Sequence, residues 1–278
     1  MATAEQHELG PGVFKDGNPL IHAIHRGISA AHLAFACKPL PDRIAIYFHQ
    51  LELHERPRFK EAVQWLQSEG YEFVKPDEYL KPGGKKAFLS FDDNHHFWWE
   101  CLPLFEELGI PVTFYTNSGV FREEASDEEL NTFFNRIGWF GERKTLTRQE
   151  LKEVAAAGHV IAAHTHRHPA LQQISESEAR DEIRLSQQIL SEILEEPVTH
   201  FSFPYGMPRF LPAALRDYCL ELGMSVADAT PAMLNQAPQR RQIHRTFWRL
   251  ELSLQANIKR LQVDGRFFVN STGKSAIF

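Results

Sequence analysis

Two short stretches hold residue types that could do chemistry together. The first, KAFLSFDDNHH at residues 86–96, ends an apolar run of Ala87, Phe88, Leu89 and Phe91 in the adjacent acids Asp92 and Asp93. The second, HTHRHP at 164–169, spaces His164 and His168 four residues apart, so one helical turn or a tight loop would aim both imidazoles at one point. With one of the two carboxylates they make two nitrogens and an oxygen around an open fourth position, the donor set of a hydrolytic metal site. Each stretch also has a purely structural explanation. Paired acids can cap the helix that follows a strand, and a His pair at this spacing arises easily in a chain with 14 histidines.

An apolar run that ends in acids must be delivered by a buried strand, and strands and helices alternate around it. RIAIYFH at 43–49 reads as a strand, RPRFKEAVQWLQSEG as a helix with Phe59, Val63 and Leu66 on one face and Gly70 as its stop, and YEFV as a short strand. After the acids, Trp98, Leu102, Phe105 and Leu108 predict one helix closed by Gly109, with VTFYT as the next strand. Three pairs, Ser126 with Glu129, Thr147 with Glu150 and Ser175 with Glu178, predict capping boxes that open helices. HVIAAH, HFSFPYG, MSVAD and RQIHRTFWRL supply further strands, and LSLQANIKRLQV a last helix. About seven such repeats with short links predict an α/β fold, a distorted (β/α)7 barrel with its chemistry at the C-terminal ends of the strands. The barrel domain is expected over residues 42–264, flanked by an N-terminal extension, 1–41, and a C-terminal tail, 265–278. Trp139 and Phe140 either stack on a sugar ring or pin the long excursion 117–146 to the barrel.

With 278 residues, 43% of them hydrophobic, the chain can bury a barrel core unaided. A net charge of −6 and the lack of a Lys/Arg stripe argue against nucleic-acid binding. Cys37, Cys101 and Cys219 are odd in number and far apart, which argues against a disulfide framework and fits a reducing, cytoplasmic compartment. No stretch reaches the roughly eighteen apolar residues that a membrane span needs. Residues 28–37 look like a short secretion segment ending at Cys37. His32 breaks the run, however, and Phe35 stands where a small residue belongs, so a partly buried N-terminal segment is expected instead.

Taken in order, SFDDN at 90–94, HTHRH at 164–168 and FSFPYG at 201–206 resemble the motifs of the polysaccharide deacetylases, the NodB-type carbohydrate esterases of family 4. That family ends one strand in TFDDG, leads a second into H-[ST]-x-x-H and ends a third in R-x-P-Y. The resemblance runs from about residue 43 to about residue 250. Ser202, where the family often has Arg, is similar to the branch of poly-N-acetylglucosamine deacetylases, whose later Arg is matched by Arg245.

The resemblance implies a hydrolase that removes an N-acetyl group from an amino sugar. Asp93, His164 and His168 would hold one divalent ion, Zn2+ by its donor set, with Co2+ or Ni2+ as alternatives, and a water on that ion would attack the amide. Asp92 would be the general base, oriented by Arg245, and the backbone N–H of Tyr205 would stabilise the oxyanion. His244 is the candidate acid, with His96 and His166 behind it. Asn94, in place of the family's Gly, would narrow the site or donate a hydrogen bond to substrate. Residues 95–99, HHFWW, add two histidines and bulk, which predicts a small sugar in place of a polymer. Two other readings use the same residues: hydrolysis of another small amide, N-formyl or ring amide, and a non-catalytic carbohydrate-binding barrel with Trp139 and the 95–99 aromatics as its platform.

Overall fold

The computed structural model describes residues 39–206, 212–229 and 241–262. Nearly all of the expected N-terminal extension, with Cys37 and the 28–37 segment, and the whole C-terminal tail lie outside the described residues. In chain order the elements are β1 (Arg43–Phe48), α1 (Arg56–Ser68), β2 (Glu72–Phe73), α2 (Pro76–Leu80), β3 (Lys86–Asp93), α3 (Phe97–Glu100), α4 (Leu102–Leu108), β4 (Thr113–Thr116) and α5 (Asp127–Arg136). Then follow α6 (Arg148–Ala156), β5 (Val160–Ala163), a 3-10 turn (Leu171–Gln173), α7 (Glu176–Leu194), β6 (His200–Ser202), α8 (Ala213–Glu221), β7 (Ser225–Asp228), β8 (Gln242–His244), β9 (Thr246–Phe247) and α9 (Leu254–Leu261).

Every pairing among these strands is parallel, in the order β8-β7-β6-β5-β4-β3-β1-β9, with β2 beside the start of β3. β8 and β9 are one stretch of chain interrupted at Arg245. Its first half pairs with β7 and its second half with β1, so the two edges of the sheet meet and the barrel is nearly closed. The backbone N–H of Arg245 donates to Asp228 on one side, at 3.0 Å, and that of Trp248 to Tyr47 on the other, at 3.0 Å.

Strand alternation then sorts the side chains. Ala45, Phe88, Tyr115, Ala162, Ala227 and Ile243 meet inside the barrel, where α2 adds Tyr79. Ile44, Ile46, Phe48, Leu89, Phe91, Phe114 and Phe201 face the surrounding helices, with Phe91 stacked between Phe48 and Phe114. By the same alternation Ser90 and Asp92 share the inner face with Phe88.

All three predicted capping boxes form, with the Ser126, Thr147 and Ser175 side chains accepting from the backbone N–H groups of Glu129, Glu150 and Glu178. The single helix expected through Trp98, Leu102, Phe105 and Leu108 is two helices that meet at Cys101. Pro103 has no N–H to give, and its ring would clash with the carbonyl of Trp99 in a continuous helix, so the helix restarts with Pro103 in its first turn. The break turns Trp98 fully into the core against Phe114, with ring centroids 4.8 Å apart, while Leu102 stays half-buried.

Candidate functional site

The last residue of β3 and the loop after β5 bring Asp93, His164 and His168 together, with one ligating atom of each within 4.8 Å of the others. Asp93 Oδ1 lies 3.3 Å from His168 Nε2 and 3.7 Å from His164 Nε2. Donors of a tetrahedral ion at about 2.0–2.1 Å are separated by about 3.4 Å, so these residues fit a divalent metal. The tautomer fits as well: His164 Nδ1 donates to the Ser202 carbonyl at 2.7 Å, which leaves the Nε2 lone pair for the ion. Burial lowers the pKa of His164 and takes that of His168 down to about 3, so both rings are the neutral imidazoles that ligation requires. Burial alone would raise the pKa of Asp93, but the His95 imidazole beside it lowers it, and the carboxyl is held well below the usual range.

The backbone here is unusual. Asp93, Thr165, His168 and Tyr205 have φ values of 89°, 67°, 58° and 61°, four of the six left-handed non-glycine residues among those described. A β-branched threonine in that region is strained, and strain of this kind gathers at sites that need a fixed geometry. Local bonds hold it: Thr165 Oγ1 accepts from the His168 N–H at 3.0 Å, and the Asn117 amide donates to the carbonyls of His164 and Thr165.

Asp92 points into the barrel. Arg245 donates Nη1 to Oδ1 at 2.6 Å and Nη2 to Oδ2 at 2.9 Å, and it also donates to the hydroxyls of Ser90 and Ser202 at 2.9 and 2.5 Å. The guanidinium is sandwiched between Tyr47 and Tyr115, 4.7 Å from each ring centroid. Burial opposes its charge, but Asp92 outweighs that and its pKa is raised. Ser202, standing where the family often has Arg, thus accepts from an arginine that reaches in from the closing strand.

His244, on the opposite strand parity, places Nδ1 3.0 Å from Asp228 at the end of β7. Burial favours its neutral form, yet the bond to Asp228 prevails and its pKa is raised. Tyr205 packs its ring against His168, with centroids 4.9 Å apart, and donates its hydroxyl to the Arg136 carbonyl at 3.2 Å. His96 is held between Glu100 at 3.1 Å and Glu150 at 3.3 Å, and His166 lies 2.9 Å from the Ser118 hydroxyl. Asn94 is fully buried; its amide donates to the Asn117 carbonyl and its oxygen accepts from the Leu146 N–H, both at 3.1 Å, so it ties two loops together. Trp139 packs on the cluster of Val120, Phe133 and Phe134 and donates to the Glu142 carbonyl at 2.8 Å, the arrangement of a pin, while Phe140 is 80% exposed. The bulk expected at the mouth lies elsewhere, with Trp98 in the core and Trp99 donating to Glu153 on α6 at 2.6 Å. These two indoles therefore give the small-sugar expectation no support.

Asp228, Tyr47, Tyr115, Asn117 and His49 also stand at the site, with no motif in the sequence that marks them. Asp228 does carry a weaker signal, a single acid at the end of the apolar strand MSVAD, as the pair Asp92 and Asp93 ends theirs. The two tyrosines had none, because strand aromatics are ordinary core residues.

Comparison with known proteins gives one picture. The family model described as polysaccharide deacetylase matches residues 80–227, just over half of the chain. YxkH of Bacillus subtilis (strain 168), a polysaccharide deacetylase candidate by its name, is 22% identical over 160 residues, 54% of this chain and 50% of its own length. The chain thus spans about half the length of this curated relative. Among solved structures, Streptococcus pyogenes deacetylase PplD in complex with acetate superposes with a TM-score of 0.61 at 18% identity, covering 82% of this chain and 100% of that one. IcaB from Ammonifex degensii superposes with a TM-score of 0.64 at 17% identity, covering 81% and 98%. These two share the fold with this chain.

Proposed function

Because the chain belongs to the polysaccharide deacetylase family, we propose that it hydrolyses the N-acetyl amide of an amino-sugar substrate, with a divalent ion, Zn2+ by its donor set, held by Asp93, His164 and His168. What carries this reading is the adjacency of two differently committed acids, Asp93 facing two neutral imidazoles and Asp92 gripped by Arg245. Such an ion would polarise the amide carbonyl and acidify a water.

The remaining chemistry falls to the chain's own side chains. Asp92 takes the proton from the attacking water. Arg245 occupies one lone pair on each carboxylate oxygen and fixes the plane of the group, which leaves the other lone pairs for that transfer. The Tyr205 backbone N–H, held in its left-handed turn, is assigned to the oxyanion. His244, whose pKa is raised by its bond to Asp228, is assigned the proton that goes to the departing amine. Acetate, the ligand of the PplD complex, would be the other product.

Metal content and acetate release from a panel of N-acetylated sugars, on the wild type and Asp92→Asn side by side, test the proposal. About one ion per chain in both proteins, with acetate from the wild type alone, supports it. Turnover by a metal-free His168→Ala variant at the wild-type rate would overturn it.

A further inference from the structure

We propose that His95 is a positioning residue for the candidate metal site, holding the outer carboxylate oxygen of Asp93 so that the inner oxygen faces His164 and His168. This rests on the reading of Asp93, His164 and His168 as metal ligands. His95 is 2% exposed and stands behind Asp93: its Nε2 lies 3.9 Å from Oδ2, while Oδ1 lies 3.3 and 3.7 Å from the two other histidines. The carboxylate is therefore flanked on both sides, with one oxygen turned to each. Among the described residues, the donor atoms close enough to share an ion are those of Asp93, His164 and His168, so His95 serves the ligand and not the ion.

The ring is fixed by what surrounds it. Phe97 lies 5.2 Å away between ring centroids, Trp139 5.5 Å away and nearly perpendicular at 84°, and Phe134 5.8 Å away. Two of those three aromatics come from the excursion 117–146, whose apolar cluster is separate from the barrel core. This gives the excursion a task beyond cover, since it holds the imidazole that holds Asp93. At 3.9 Å the contact exceeds direct hydrogen-bond length, and a carboxylate movement of about 1 Å closes it. A carboxylate oxygen left out of ligation in a buried site needs a donor, and such outer partners set ligand orientation and metal affinity.

The test is metal binding by the full chain, stripped with chelator and titrated with Zn2+ against a chromophoric competitor and with Co2+ followed by visible absorption. His95→Phe, which fills the aromatic cage without a donor, is expected to bind Zn2+ about 10- to 100-fold more weakly and to alter the Co2+ spectrum. Its metal-free thermal unfolding should stay close to that of the wild type. His95→Gln, which keeps an N–H donor, should restore most of the affinity. If His95→Phe does not fold, His95→Met takes its place. An apolar variant with wild-type affinity overturns the proposal, as does a glutamine variant no better than the apolar one. Failure of the wild type itself to bind either ion would overturn the metal reading along with it.

Discussion

Arg245 and Asp92, 153 positions apart in the chain, meet inside the barrel through two parallel hydrogen bonds of 2.6 and 2.9 Å. Arg245 can be there because it occupies the one-residue interruption between β8 and β9, where the strand passes from its partner β7 to its partner β1. Barrel closure and orientation of the proposed base are thus served by the same residue.

Removing one partner of this buried pair should be costly. Arg245→Gln leaves the Asp92 carboxylate without its counter-charge and should lower stability by about 3–5 kcal/mol in denaturant unfolding. Acetate release should fall by about 100-fold or more, the scale of a misheld general base. Arg245→Lys retains the charge but not the fork, and an intermediate loss in both assays is expected. Wild-type activity in the glutamine variant would detach Arg245 from catalysis.

The two adjacent acids should separate cleanly by assay. Asp93→Ala and His168→Ala should lose the ion and all activity, whereas Asp92→Asn should retain the ion and lose about 100-fold or more in kcat. Elemental analysis of the three purified variants, read beside their rates, decides it. Metal loss in Asp92→Asn would show that the two carboxylates share the ion.

His244 offers a pH test with a definite sign. As the proposed acid it must be protonated, so activity should fall as pH rises through its pKa, which Asp228 holds above the ordinary imidazole value. Asp228→Asn removes that support, and the alkaline limb of kcat against pH should move to lower pH. The same raised pKa contributes stability that is fully present below the unfolded value and is lost as pH rises through the folded one. The stability difference between wild type and Asp228→Asn should therefore shrink as the solution is made alkaline. An unmoved alkaline limb would remove His244 from the acid role.

Neighbouring aromatics on the excursion should behave oppositely. Trp139→Ala strips the cluster of Phe133 and Phe134 and removes the ring that packs edge-on against His95, with an expected loss of about 2 kcal/mol. Phe140→Ala, at a side chain 80% exposed, should change stability by no more than about 0.5 kcal/mol. Thermal unfolding of the two variants compares them directly, and equal losses would contradict the pin role given to Trp139.

Much of this protein was legible in the order of its residues. The alternation of strands and helices, three capping boxes and the strand-end placement of Asp92, Asp93 and His164 all follow from patterns that span a few positions, because periodicity and cap hydrogen bonds link residues within about four of each other. Tertiary structure alone decided the rest. That Arg245 lies between Tyr47 and Tyr115, that Asp228 holds His244, that Asn94 joins two loops and that His95 stands behind Asp93 depend on which strands become neighbours and which face each residue takes. Those relations are set when the barrel closes, since closure brings the first and last strands side by side and strand alternation then sends each side chain inward or outward.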